Sequence, residues 1–186
     1  MQKRLFLALA IPQSLGMMLA DYTTSLGLSA IRWTPPENLH LTLHFLGNVE
    51  KDHIPELVQL LSNAICQHII FVLKFKQISL VPQQNPVRMV WVEYCNDDAY
   101  QAIFDDTKNI ISPWAVKHGY RHEYDHDDII PHITLGRFSP PCIKQTQPLP
   151  QLTIPDLLVD RVQLMESMHT PEGRVYTVLE TFLLKK

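Results

Sequence analysis

Two short stretches of this chain carry residues able to move protons. The first is Asn38-Leu39-His40-Leu41-Thr42-Leu43-His44-Phe45-Leu46-Gly47, the second Pro131-His132-Ile133-Thr134-Leu135-Gly136-Arg137. Each alternates polar and apolar residues, the period of a half-buried β-strand, and each sets a histidine and a threonine on one strand face, two residues apart. Strict alternation turns Leu39, Leu41 and Leu43 toward a core, and His40, Thr42 and His44 to the opposite face, open to a ligand or to solvent. A neutral imidazole is a base and a charged one an acid, about a reference pKa of ~6.5. Two of them facing one cleft can hold opposite protonation states. One takes a proton from a nucleophile and the other gives one to a leaving group, each role being worth ~10²–10⁴-fold in rate. The threonine beside each histidine offers a hydroxyl to a non-bridging phosphate oxygen. This set suits in-line displacement at phosphorus. Neither motif supplies the carboxylates of a two-metal site, so no metal or other cofactor is expected.

The elements that must hold these residues follow from the patterning. Residues 3–11 read as a core strand; the run after Lys3-Arg4 imitates a signal peptide but stops at Pro12. Residues 13–27 read as a helix with Leu15, Met18, Leu19 and Tyr22 on one side and Gly27 as its stop. Pro35-Pro36 stiffens the entry to the first histidine strand, 38–46, which Gly47-Asn48 should end. A helix over 51–66, β-rich sequence over 69–81, a turn over 82–86 and a strand over 88–94 come next. The order then repeats: a helix over 98–117, a polar loop over 119–128, the second histidine strand over 129–138, a proline-rich connection, and strands over 157–168 and 174–184. The recurrence of a histidine strand in equivalent places suggests an internal duplication with pseudo-twofold symmetry.

Composition narrows the function. The 186 residues are 46% hydrophobic and 19% charged, with a net charge of −3. That is a globular make-up without the basic field that would hold a long nucleic acid, so any RNA is gripped locally. Cys66, Cys95 and Cys142 show no C-x-x-C spacing, which argues against a disulfide framework or zinc cluster and suits a reducing cytoplasm. No apolar segment nears the ~20 residues of a membrane span. His118, His122 and His126, near Asp125, Asp127 and Asp128, would make metal ligands on a helix, but Gly119 and the acidic residues argue for a loop. His53, His68 and His169 read as surface residues, and Trp91 as packing within its strand, with base stacking as its other use.

His40-Leu41-Thr42-Leu43 and His132-Ile133-Thr134-Leu135 resemble the paired HxTx motifs of the two-histidine (2H) phosphoesterase superfamily, nearest its RNA 2′,3′-cyclic phosphodiesterases, also called 2′-5′ RNA ligases. The resemblance spans nearly the whole chain. It takes in Arg4-Leu5-Phe6-Leu7-Ala8-Leu9, Pro35-Pro36-Glu37-Asn38-Leu39, Phe45-Leu46-Gly47, Trp91, Gly136-Arg137, Leu164-Met165-Glu166-Ser167, Gly173 and Tyr176. It implies an α+β fold, one domain over 1–186 made of two pseudo-symmetric lobes of antiparallel sheet with helices outside, enclosing a central cleft. It implies hydrolysis of a terminal 2′,3′-cyclic phosphate to a 2′-phosphate, with His40 the proton donor to the leaving 3′ oxygen and His132 the proton acceptor that activates water. Thr42 and Thr134 accompany them. Phe45 and Arg137 resemble positions lining the nucleotide site, though strict alternation would turn both away from the histidine face; they reach it only if the strands bend near Gly47 and Gly136. Ile130 departs from the many relatives with a basic residue there. Implied partners are RNA ends or small nucleotides, with no membrane and no obligate protein partner. Two other readings stand beside this one: ATP-independent joining of RNA ends by the reverse reaction, and a module that binds nucleotide phosphate without turnover.

Overall fold

In the computed structural model described here, all residues are placed except 83–85, 121–129, 143–148, 151 and 172, together with the side chains of Pro140 and Cys142. The chain runs β1 (Gln2–Leu9), α1 (Gln13–Ser25), β2 (Ile31–Trp33), a 3₁₀ turn (Pro36–Asn38), β3 (Leu41–Glu50), a second 3₁₀ turn (Lys51–His53) and α2 (Ile54–Ile65). It continues as β4 (Phe71–Leu73), β5 (Phe75–Val81), β6 (Val87–Tyr94), α3 (Asp98–Lys117), β7 (His132–Cys142), β8 (Leu157–Val159), β9 (Arg161–Thr170) and β10 (Gly173–Leu183). The large sheet has the order β10-β9-β1-β3-β7-β6-β5, with β2 paired to β7; β4 and β8 pair separately. This is the α+β architecture with antiparallel sheet expected above. No described helix is long and apolar enough to cross a membrane.

The helices form where sequence chemistry asks for them. α3 opens on Asp97, whose carboxylate accepts the Tyr100 backbone N–H at 2.9 Å, satisfying a donor that the first helical turn leaves open. Gly27, at φ +59, turns the chain out of the end of α1. Leu15 and Leu19 of α1, Leu57 and Leu61 of α2, and Ile103 and Ile111 of α3 are buried in one core with Leu5, Leu7 and Leu9 of β1. At ~1.5–3 kcal/mol for each fully buried leucine or isoleucine, that layer fastens all three helices to one side of the sheet. Phe6, Ala8 and Met165 form a separate small cluster with Tyr176 packed on it. They belong to the alternate residues of the same strands, and so mark the opposite face, turned away from these helices.

Among the described residues the two halves of the sheet are joined by a single ladder pair. β3 and β7 are antiparallel and are bridged only at Leu41↔Ile133 among the described residues. Beyond that pair the strands part, and β2 takes over the same edge of β7, pairing Ile31 with Phe138, Arg32 with Arg137 and Trp33 with Gly136. The Thr34 backbone N–H, donating to the Leu135 carbonyl at 2.7 Å, closes the wedge.

Two expectations need correction. Gly47-Asn48 does not end the first histidine strand, because Gly47, at φ +73, sits in a bulge and β3 runs on to Glu50. The strand expected over 157–168 is two, β8 and β9, broken at Asp160. The loop over 119–128 lies mostly outside the described residues, as do residues 83–85 of the expected turn.

Candidate active site

The antiparallel pair Leu41↔Ile133 sets the geometry of the site. His40 and Thr42 flank Leu41, and His132 and Thr134 flank Ile133. Since the strands run oppositely, the pair has a local twofold axis, which places each histidine beside the other strand's threonine. Leu41 and Ile133 are fully buried, whereas His40, Thr42, His132 and Thr134 are half-buried. The period-2 reading of both motifs therefore holds through the threonines.

Each imidazole is fixed in the same way. Nδ1 of His40 lies 2.7 Å from the Asn38 carbonyl oxygen, and Nδ1 of His132 lies 2.8 Å from the Ile130 carbonyl oxygen. A carbonyl only accepts, so each Nδ1 carries the proton and Nε2 is left as the nitrogen that titrates. Asn38 is itself held: it closes the 3₁₀ turn through its N–H to Pro35, and its side-chain amide donates to the Arg174 carbonyl at 2.8 Å. Ile130 serves through its backbone, a role indifferent to its side chain.

A bulge in each strand then reverses the phase. Thr42 opposes Ala8 and His44 opposes Leu7, so Leu43 is an extra residue. Thr134 opposes Trp91 and Gly136 opposes Val90, so Leu135 is extra at the equivalent position. Both strands thus send two successive residues into the core, Leu43 with His44 and Leu135 with Gly136, and bring the next one out. The outward residues are Phe45, 66% exposed, and Arg137. Phe45 opposes Phe6 two residues from Ala8, and Arg137 opposes Met89 two residues from Trp91, so both stand on the histidine face. Strict alternation fails here, and its failure delivers these two side chains to the cleft.

The same bulge overturns the expectation for His44. It is fully buried and faces the helices. Its Nε2 donates to the Phe104 carbonyl at 3.1 Å and lies 2.7 Å from Thr107 Oγ1, whose own hydroxyl donates to Ile103 at 2.6 Å. At the equivalent place in β7 only glycine fits: a Cβ on Gly136 would stand 2.6 Å from Ile31 Cγ2 and 2.7 Å from Trp33 Cε3. Glycine inside a strand is a sequence signal for such a bulge; His44 carries none.

The surroundings of the two histidines differ. Phe6 packs at a centroid distance of 4.8 Å from His40, and Tyr176 meets its edge at 5.0 Å. Burial among these rings pushes the His40 pKa below its ordinary value, the Asn38 carbonyl opposes that, and positive charge on His132 adds to the lowering. His132 lies flat on Trp91, with centroids 3.7 Å apart and planes 17° apart, so Trp91 packs against the site itself. Burial again lowers the pKa; the Ile130 carbonyl and the Glu93 carboxylate raise it, and Arg137 lowers it. Glu93 is the ladder partner of His132 and 5% exposed, with its carboxylate accepting from Ser79 and, at 2.9 Å, from Gln77; Lys76 stands 3.8 Å away. Sequence reading missed Phe6 and Glu93 as neighbours of the site, because cross-strand pairing is not a local signal.

The other described histidines lie elsewhere. His118 bonds Glu56 at 2.7 Å and packs on His53 at 4.0 Å, and His53 bonds the Tyr120 hydroxyl. His68 meets Asp106 at 3.1 Å and is half-buried. His53 and His68 are thus packed between elements rather than free on the surface as expected, while His169 is exposed. His122, His126, Asp125, Asp127 and Asp128 lie outside the described residues. Among those described, no group of three or more His, Cys, Asp or Glu is arranged to hold a metal.

A LigT-like phosphoesterase family model matches residues 7–91. The chain is 29% identical over 149 residues to an RNA 2′,3′-cyclic phosphodiesterase of Thermotoga maritima, covering 79% of this chain and 76% of that one. It is 26% identical over 182 residues to an RNA 2′,3′-cyclic phosphodiesterase of Methanocaldococcus jannaschii, covering 95% and 98%. Its fold is similar to that of TT0787 of Thermus thermophilus, with a TM-score of 0.83 at 23% identity over 97% of both chains. Escherichia coli LigT complexed with 3′-AMP superposes with a TM-score of 0.74 at 22% identity, covering 100% of this chain and 99% of that one.

Proposed function

We propose that the chain is a LigT-like phosphoesterase and that it hydrolyses RNA 2′,3′-cyclic phosphate ends to 2′-phosphomonoesters by general acid–base catalysis without a metal. One observation carries the reading: two histidines of a single tautomer flank the pair that joins the halves of the sheet, each beside a threonine of the other strand. In this scheme a water oxygen attacks phosphorus while Nε2 of neutral His132 takes its proton. The bond from phosphorus to the 3′ oxygen breaks on the opposite side, and Nε2 of charged His40 protonates that oxygen. The hydroxyls of Thr42 and Thr134 donate to the non-bridging oxygens, whose charge grows as the fifth bond forms. Phe45 and Arg137 hold the nucleotide. The Glu93 oxygens are engaged by Ser79 and Gln77, so the donor set around the phosphate is imidazole and hydroxyl.

The test is product analysis on a short RNA ending in a 2′,3′-cyclic phosphate, with chelator present. Conversion to a 2′-phosphate, resolved by phosphorus NMR, is expected. A 3′-phosphate would reverse the assignment of acid and base, and loss of turnover in chelator with recovery on adding zinc or magnesium would overturn the metal-free scheme.

A further inference from the structure

Arg32 has no part in the chemistry above, yet it stands on the same open face. It is exposed, while its neighbours Ile31 and Trp33 pack on the helix side. It is the direct ladder partner of Arg137. Cross-strand partners share a sheet face, with Cβ atoms ~4.5–5.5 Å apart. Two guanidinium groups are therefore based side by side in the cleft. Like charges directly opposite each other destabilise a sheet, so this pairing gives the fold nothing. Among the described residues neither arginine meets a carboxylate; the Nη1 of Arg137 rests 2.7 Å from the Met89 sulfur. Arg137 lies three residues beyond Thr134, or ~10 Å of fully extended strand less the bulge, which is more than one phosphate group spans. Among the described residues the first half of the sheet has no counterpart: Phe45 stands where Arg137 does, beside the Phe6 ring at 6.3 Å, and no described strand is placed as β2 is.

We propose that Arg32 and Arg137 form a second anion subsite, which binds the phosphate on the 5′ side of the nucleotide whose cyclic end is opened. The inference rests on the phosphodiesterase reading above. Guanidinium pairs fit such a group, since each presents a planar fork of donors to phosphate oxygens. The phosphate is either the internucleotide diester of an RNA or the terminal 5′-phosphate of a mononucleotide.

Three substrates with the same reacting end separate these sources: adenosine 2′,3′-cyclic phosphate, its 5′-phosphorylated form, and an adenylyl dinucleotide ending in a 2′,3′-cyclic phosphate. Turnover of the first tests the phosphodiesterase reading alone. For the subsite, the quantity is the kcat/KM of each two-phosphate substrate divided by that of the first. Arg32→Ala is expected to lower this ratio about tenfold, and Arg32→Lys to retain part of it. The salt dependence with the dinucleotide should become shallower by about 0.7 in log–log slope, as expected when one phosphate fewer is neutralised on a single strand. A drop confined to the dinucleotide assigns the subsite to the internucleotide diester, and a drop with both assigns it to any 5′-phosphate. Equal losses on all three substrates, or a wild-type ratio near one, would overturn the subsite. Calorimetric binding of adenosine 2′-phosphate and of the dinucleotide 2′-phosphate reads the same ratio without turnover, and an Arg32→Ala protein that loses none of the dinucleotide's advantage there would overturn it equally.

Discussion

The β1–β3 half and the β6–β7 half of the sheet repeat one backbone device and clothe it differently. In each, a histidine precedes the shared pair, a threonine follows it, a bulge comes next, and a carbonyl two residues upstream fixes Nδ1. Around His40 the neighbours are Phe6 and Tyr176, and the outward residue after the bulge is Phe45. Around His132 they are Trp91, Glu93 and Arg137. Backbone geometry thus makes the two imidazoles equivalent in place and tautomer. The side chains on the flanking strands decide what each prefers to do with a proton. Ala8 and Trp91 hold equivalent positions opposite the two threonines, and only the larger provides a platform for its histidine.

The strongest way to break this comparison is to remove one histidine at a time. His40→Ala and His132→Ala should each lower kcat by more than ~10³-fold, since one partner cannot serve both ends of an in-line displacement. Both side chains are half-buried and neither lies in the main core, so circular dichroism should show an unchanged fold. Substantial turnover in either variant would mean that the two halves are not paired in function. Thr42→Ala and Thr134→Ala come next. Each should cost at most the ~2.7–4 kcal/mol of a lost oxyanion donor, read in kcat more than in KM. Near-equal losses would support the twofold placement of the hydroxyls about the phosphate; a loss confined to one would show that a single threonine carries the charge.

How far the sequence revealed this arrangement depends on the range of the signal. α3 matches its expected span, because a cap and a helical stripe are local. So are the alternations that put His40, Thr42, His132 and Thr134 on one face. β2 went unread: three residues between a glycine-ended helix and two prolines carry no periodicity. Its role appears only in the pairing with β7, and that pairing sets Arg32 beside Arg137. His44 was misplaced for the same reason. The bulge that buries it is a property of β1 and β3 in register, and the α3 groups that satisfy it lie some sixty residues downstream.

The smallest effect sharpens the comparison most, because it touches only the charge that distinguishes the halves. Glu93 opposes His132, whereas Ala10 follows the last paired residue of β1 at the matching place beside His40. Glu93→Gln keeps the shape and an acceptor for Ser79 while removing the negative charge. That charge raises the His132 pKa against burial, so its removal should make His132 titrate lower, with His40 little changed. The base fails as pH falls below its pKa and the acid as pH rises above its own, so kcat/KM should be bell-shaped. Because kcat/KM reports the free protein, and burial lowers both histidines there, its optimum should lie below the ordinary imidazole value of ~6.5. A bound phosphate favours the charged acid, which should carry the alkaline limb of kcat to higher pH. In Glu93→Gln one limb of the kcat/KM profile should move to lower pH while the other stays. Which limb moves shows the macroscopic step that is mostly His132, and imidazole NMR titration reads the same shift directly. The height of the optimum should fall by less than about tenfold, the smallest loss in the series. A uniform fall in rate with both limbs fixed would make Glu93 a packing residue and leave the asymmetry between the histidines to Trp91 and Arg137.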